Sequence, residues 1–300
     1  MPIKLRIATF NLMNLDDRHD RRPSLEERIP VLRPQLIRLD ADILCLQEVC
    51  GQREHEKIRL SALHKLLHDT PYEGYYRFST MDRATGEPFE NHNLVILSRF
   101  EILEHHQYMH DYAPSLRYQK VTAFPEEHEA KEVSWERPIL HARIQTPNHI
   151  LDIINLHLKS RRPTSLPGHK IDERTWKTAS GWAEGVFISS MKRIGQALET
   201  RILIDRLFDR GPAAMIAVCG DFNEEFDEVA LEAIRGDVEN TGNLSLAMRV
   251  MVPTERNIPE PARVFPIAQR AGKDAGSYPG LQDNACLFQG IRGAQRAPAR

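Results

Sequence analysis

Three hundred residues leave room for one large or two smaller α/β domains, each with a sizeable core. A formal net charge of −2 with 27% charged residues excludes a globally basic protein that coats nucleic acid or membrane, so any phosphate-seeking charge must be local. No stretch approaches the roughly 18 apolar residues of a membrane helix, and "MPIKLRIATFNL" is too short an apolar run for a signal peptide. A soluble, cytoplasmic chain without a membrane segment is therefore expected. Cys45, Cys50, Cys219 and Cys286 form no C-x-x-C pair, and two lie inside apolar runs. They read as buried free thiols, which suits a reducing compartment.

In chain order, short apolar runs predict strands over Ile3–Phe10, Ile43–Gln47, Leu94–Ser98, Leu140–Ile144, Ile150–Leu158 and Met215–Gly220. "DILCLQ" and "AMIAVCG" are continuously apolar rather than alternating, so they should be buried on both faces. Helices are predicted over "LEERIPVLRPQLIRLDA", interrupted by Pro30 and Pro34, and over "KIRLSALHKLLHD". A third is predicted over "RIGQALETRILIDRLFDRG", with Ile194, Leu198, Ile202, Leu203 and Leu207 as its apolar face and Gly211 as its stop. The interleaving to about residue 235 predicts an α/β layered fold. Residues 161–187 form a polar insertion whose Trp176 and Trp182 either stack bases or cap the core.

Four of the predicted strands end in residues able to bind metal or phosphate. "IATFN" ends at Asn11, "ILCLQE" at Glu48 and "IINLH" at His157, while "AVCGDFN" ends in Asp221 and Asn223. Function in layered α/β proteins gathers at strand ends, so these ends can converge on one pocket. Singly, each has a structural alternative: Asn11 and "GDFN" as turns, Glu48 as the exit to solvent, His157 as a core histidine.

Together, "TFNLMNL", "DADILCLQEV", "NLVILSRF", "INLHLKS" and "VCGDFNEE" resemble the endonuclease/exonuclease/phosphatase superfamily, the deoxyribonuclease I-like hydrolases, from Ile3 to about Arg263. The resemblance implies a four-layer α/β/β/α sandwich of two mixed sheets and a Mg²⁺- or Mn²⁺-dependent phosphoric-ester hydrolase. It implies Glu48 and Asn11 as metal ligands, Asp221 as the residue that positions or deprotonates water, and Asn223 and His157 as phosphate contacts. Lys159 and Arg161 follow on the same loop and can add phosphate-binding charge, or form a solvated basic run. Met13 stands where some relatives carry an acid, which removes one metal contact. A nuclease or phosphodiesterase acting on nucleic acid is the first expectation, with a lipid or inositol phosphatase or sphingomyelinase-like hydrolase as the alternative. No obligate protein partner is expected.

The family also places an aspartate in a "DH-I/L-L-V-S" stretch and a terminal "S-D-H" near its C-terminus. Here no Asp-His pair follows residue 236, and "KDAGSYPGLQDNACLFQG" (residues 273–290) shows neither a helical nor a strand period. Back-translated and displaced by one base, Lys273–Arg300 can be read as a string containing "LDHILVS". The expectation is a frame change near Ala262–Val264. Residues 1–263 are then an incomplete domain lacking terminal strands, and 264–300 an out-of-frame, poorly ordered tail. A catalytically dead remnant or binding protein is the competing expectation.

Overall fold

The computed structural model describes residues 5–211, 213–224, 228–254 and 284–289, the last by backbone alone. The chain runs β1 (Ile7–Leu15), α1 (Leu25–Leu39), β2 (Ile43–Val49), a hairpin of β3 (Gln52–Glu54) and β4 (Lys57–Arg59), α2 (Ser61–Leu67), β5 (Tyr76–Ser79) and β6 (Asn93–Ser98). It continues through β7 (Ile102–Tyr108), a hairpin of β8 (Leu116–Tyr118) and β9 (Lys131–Val133), β10 (Ile139–Gln145), β11 (Ile150–His157) and α3 (Ala179–Arg210). The rest comprises β12 (Met215–Asp221), α4 (Val229–Arg235), α5 (Val238–Thr241), β13 (Val252–Pro253) and β14 (Asn284–Gln289).

Two mixed sheets carry the fold, in the orders β1-β2-β6-β5 and β13-β14-β12-β11-β10-β7. The period of 2 along each central strand sorts its side chains into layers. On β2, Leu44 and Leu46 pack with Leu36, Leu63 and Leu66 of α1 and α2. Ile43 and Cys45 point the other way, into a core shared with Leu140, Ala142, Ile153, Ala217 and Cys219 of the second sheet. On β12, Ile216 and Val218 face Leu203, Ile204 and Leu207 of α3. The result is a four-layer α/β/β/α sandwich in which the central strands are buried on both faces, as their continuous apolar runs predict. Among the described residues no helix is long and apolar enough to cross a membrane.

Three expectations need correction. The predicted helix over "KIRLSALHKLLHD" begins only at Ser61. Lys57–Arg59 pairs with Gln52–Glu54 instead, and the Ala62 N–H at the helix start donates to Gln52 Oε1 at 2.8 Å. Pro30 and Pro34 do not interrupt α1: both lie on its exposed face, where the carbonyls that lose an amide partner can bond water, while Leu25, Leu32 and Leu36 are buried. Helix α3 begins at Ala179, and its predicted apolar face is partly turned outward. Ile194 and Leu198 are exposed, while Arg193, Gln196, Glu199 and Thr200 are buried. Arg193, Gln196 and Glu199 are satisfied by loops that the helix pins, and Thr200 by the Gln196 carbonyl of the helix itself, so hydrogen bonds share the inward face with Leu203, Ile204 and Leu207.

The tail departs from expectation as well. Asn284–Gln289 is a strand, β14, antiparallel to β12 from Ile216↔Gln289 to Asp221↔Asn284 and also paired with β13. The backbone donors and acceptors along the exposed edge of β12 are satisfied by this pairing. The second sheet therefore does not lack a strand beside β12. The stretch back-translated to "LDHILVS" lies outside the described residues.

Candidate active site at the end of the two sheets

The pocket forms where the C-terminal ends of β1, β2, β11 and β12 meet across the sandwich. Behind it the sheets are tied by polar contacts: Gln47 Nε2 donates to Asn155 Oδ1 at 2.7 Å, and Asn155 Nδ2 donates to the carbonyls of Leu46 and Val95. In front of that tie the backbone is bent. Met13, Asn14, Glu48, His92 and Asn223 all have positive φ, between 48° and 59°. Such conformations cost energy for non-glycine residues and cluster where side chains must be aimed.

Gly220 sets the spacing of the second sheet. His157 lies directly opposite Asp221 in the parallel β11–β12 ladder. A Cβ at Gly220 would sit 2.0 Å from the Leu156 carbonyl oxygen, and its φ is 149°. Only glycine allows that approach, which explains the first residue of "GDFN".

Ligand atoms of Glu48, His157 and Asp221 lie within 4.8 Å of one another. His157 Nε2 is 3.8 Å from Glu48 Oε1 and 3.6 Å from Asp221 Oδ2. Asn11 joins the two carboxylates, its Nδ2 donating to Glu48 Oε1 at 3.1 Å and to Asp221 Oδ2 at 2.8 Å. Its Oδ1 accepts from the Met13 N–H, so the amide nitrogen faces the carboxylates and the oxygen faces the bend of β1. The Asn14 N–H donates to Glu48 Oε2 at 2.9 Å. Asn223 stands at the rim, donating from its N–H to Asp221 Oδ1 and from Nδ2 to the Leu158 carbonyl.

The two basic candidates part company. Lys159 is half-buried, and its Nζ donates to Ser160 Oγ at 3.2 Å. Arg161 turns outward, paired with Glu228 and donating to the Asn223 carbonyl. Burial pushes Lys159 below the usual lysine range, helped by Arg137 and Lys192 nearby. His157 is held well below the usual histidine range by burial first, then by the charges of Arg137 and Lys159, so it is neutral at pH 7.

Two residues the sequence reading missed complete the site. Arg137 Nη2 donates to His92 Nδ1 at 2.9 Å, and the Arg137 carbonyl is fixed by Gln196 Nε2. His92 Nε2 contacts Asn14 Oδ1 at 2.6 Å. Both lie just before strands rather than after them. β6 is antiparallel to β2, and β10 is antiparallel to β11, so their beginnings reach the same edge as the ends of their neighbours.

Two carboxylates from different sheets, both reachable from one point, suit a hard divalent cation. Fold and site together define a phosphoric-ester hydrolase of the layered-sandwich class. The chain belongs to the Endonuclease/Exonuclease/phosphatase family, whose profile matches residues 8–241. No curated protein matches the chain. Among solved structures it is similar to a humanized TDP2 from D. rerio, at 15% identity and TM-score 0.52 over 98% of this chain and 85% of that one. A truncated TDP2 from Caenorhabditis elegans is similar at 14% identity and TM-score 0.53, over 94% and 83% of the two chains. A mannosyl-6-phosphatase from Bacteroides thetaiotaomicron matches at 15% identity and TM-score 0.52, over 95% and 85%. At these identities the likeness is one of fold.

Proposed function

We propose that the chain hydrolyses a phosphodiester, with nucleic acid as the first substrate class, using a divalent cation, Mg²⁺ or Mn²⁺. The observation that carries this reading is the meeting of Glu48, His157 and Asp221 across two sheets. Glu48 and Asp221 would hold the cation, whose chemistry is to neutralise charge on the phosphate. Asn11 keeps the two carboxylates together by donating to both. Asp221 would also orient the attacking water beside the cation. His157, neutral and aimed at the same point, offers a hydrogen bond to a phosphate oxygen.

Charge at the mouth supports an anionic substrate. Among the described residues Arg161 and Arg193 are neutralised by Glu228 and Glu224, whereas Arg137 and Lys159 have no carboxylate ion pair. Arg137, desolvated beside Glu48 and Asp221, and Lys159, desolvated near His157, favour a phosphate group there. Arg137 and Lys159 therefore take the phosphate-binding role, and Arg161 is a structural ion pair. A monoesterase of the lipid or inositol type uses the same chemistry on a different leaving group.

The decisive assay is release of p-nitrophenol from bis-p-nitrophenyl phosphate, with single-stranded and duplex DNA alongside, in Mg²⁺, Mn²⁺ and chelator. Turnover that needs metal and falls at least ~10²-fold in Glu48→Gln and Asp221→Asn is expected. Preference for p-nitrophenyl phosphate over the diester would move the assignment to a monoesterase. A second reading, an inactive chain, rests on the absence of any Asp-His pair after residue 236. It is favoured if metal binds without turnover of any ester. Restoring the reading frame near codon 263 would then bring activity back.

A further inference from the structure

Arginine has only donors, so the Arg137 Nη2 contact fixes His92 Nδ1 as an acceptor. The proton of the neutral ring must then lie on Nε2, where it donates to Asn14 Oδ1. Asn14 in turn gives its backbone N–H to Glu48 Oε2. One chain of hydrogen bonds therefore runs from a cation on the second sheet, through a turn before β6 and the bend of β1, to the carboxylate at the centre of the site. Its last three members, His92, Asn14 and Glu48, are all held at positive φ. Residues placed in such conformations hold one geometry only while neighbours over-determine it. Arg28 braces the same bend from behind, donating to the carbonyls of Leu12, Met13 and Asn14.

We propose that His92 is a positioning residue for metal binding: in the tautomer set by Arg137, it holds Asn14 so that the Asn14 N–H aims Glu48 at the cation. The proposal rests on the functional reading above. It differs from that reading in giving a role to His92 and Asn14, which touch neither ion nor substrate. Groups that orient a ligand from behind typically carry ~10–100-fold of metal affinity.

Metal binding alone tests it, read by Mn²⁺ electron paramagnetic resonance without substrate. His92→Gln places an amide donor near the position of Nε2 and should bind Mn²⁺ within ~3-fold of the parent. His92→Asn keeps only the acceptor facing Arg137 and should bind ~10–100-fold more weakly, as should His92→Ala. Unfolding midpoints of the metal-free variants check that they fold. Arg137→Met gives a second, independent arm. Simple electrostatics demands tighter Mn²⁺ binding once a nearby positive charge is removed, whereas loss of the fixed tautomer predicts weaker binding. Parent-like affinity in folded His92→Ala, or tighter binding in Arg137→Met, overturns the proposal and leaves the hydrolase reading intact. Absence of Mn²⁺ binding in the parent overturns both.

Discussion

A missing side chain at Gly220 does as much for the site as the charged residue beside it. Adding a methyl there drives it into the Leu156 carbonyl and separates His157 from Asp221. Gly220→Ala should lose about 1–3 kcal/mol of stability by urea unfolding and bind Mn²⁺ more weakly than the parent. His157 makes a second prediction at this scale. Its folded pKa lies below that of the unfolded chain, chiefly through burial, so the unfolded state takes up a proton that the native state refuses. The stability from neutral His157 is complete above about pH 6.5 and is lost as pH falls below it, at up to ~1.4 kcal/mol per pH unit. In metal-free protein, His157→Gln should flatten the loss of stability between pH 6 and 5; an unchanged slope would assign the acid sensitivity to other groups. Asn11, Glu48, His157 and Asp221 were legible because each closes an apolar run. His92 and Arg137 were not, because "FENHN" and "SWERP" are polar and patternless. The signal that finds them is antiparallel pairing, which brings strand beginnings to an edge where only strand ends were sought.

Helix α3 shows why a correct element can carry a wrong face. Its period of 3.6 was legible, and the helix is there, but Ile194 and Leu198 lie in solvent while Glu199 is fully buried. Glu199 accepts from the backbone N–H groups of His110, Asp111 and Tyr112, and Glu184 does the same for Val121 and Thr122. A carboxylate that satisfies three amides outweighs the ~1.5–3 kcal/mol of burying a leucine. No hydropathy pattern records that trade, because the partners lie some 90 residues away. Glu199→Ala should cost about 3 kcal/mol in urea unfolding, with faster hydrogen exchange at 110–112, whereas Leu198→Ser should change stability by less than ~0.5 kcal/mol. The reverse ranking would mean that apolar area does orient this helix.

For the molecule as a whole, a layered α/β fold was legible because the central strands are apolar on both faces and the helices between them are not; the count of four layers came from the family resemblance. Within the tail the strand β14 was not legible, because strand pairing is a backbone property. β14 lies against β12 with no period of 2 in its sequence to announce it. Each sheet is also drawn from one contiguous half of the chain: β1, β2, β5 and β6 end at Ser98, and every strand of the other sheet begins at Ile102 or later. Glu48 and Asn11 belong to the first half, His157, Asp221 and Asn223 to the second. Cutting the chain between Phe100 and Glu101 would therefore divide the site into two pieces, one holding Asn11 and Glu48 and the other His157, Asp221 and Asn223. Their route back is the interface where Ile43, Cys45 and Ile96 meet Leu140, Ile153 and Ala217, together with the Gln47–Asn155 tie. Co-expressed halves should regain Mn²⁺ binding that neither shows alone, and a charge placed at Ala217 should abolish it. The protein is in this sense a natural split reporter, whose signal is the docking of one half on the other.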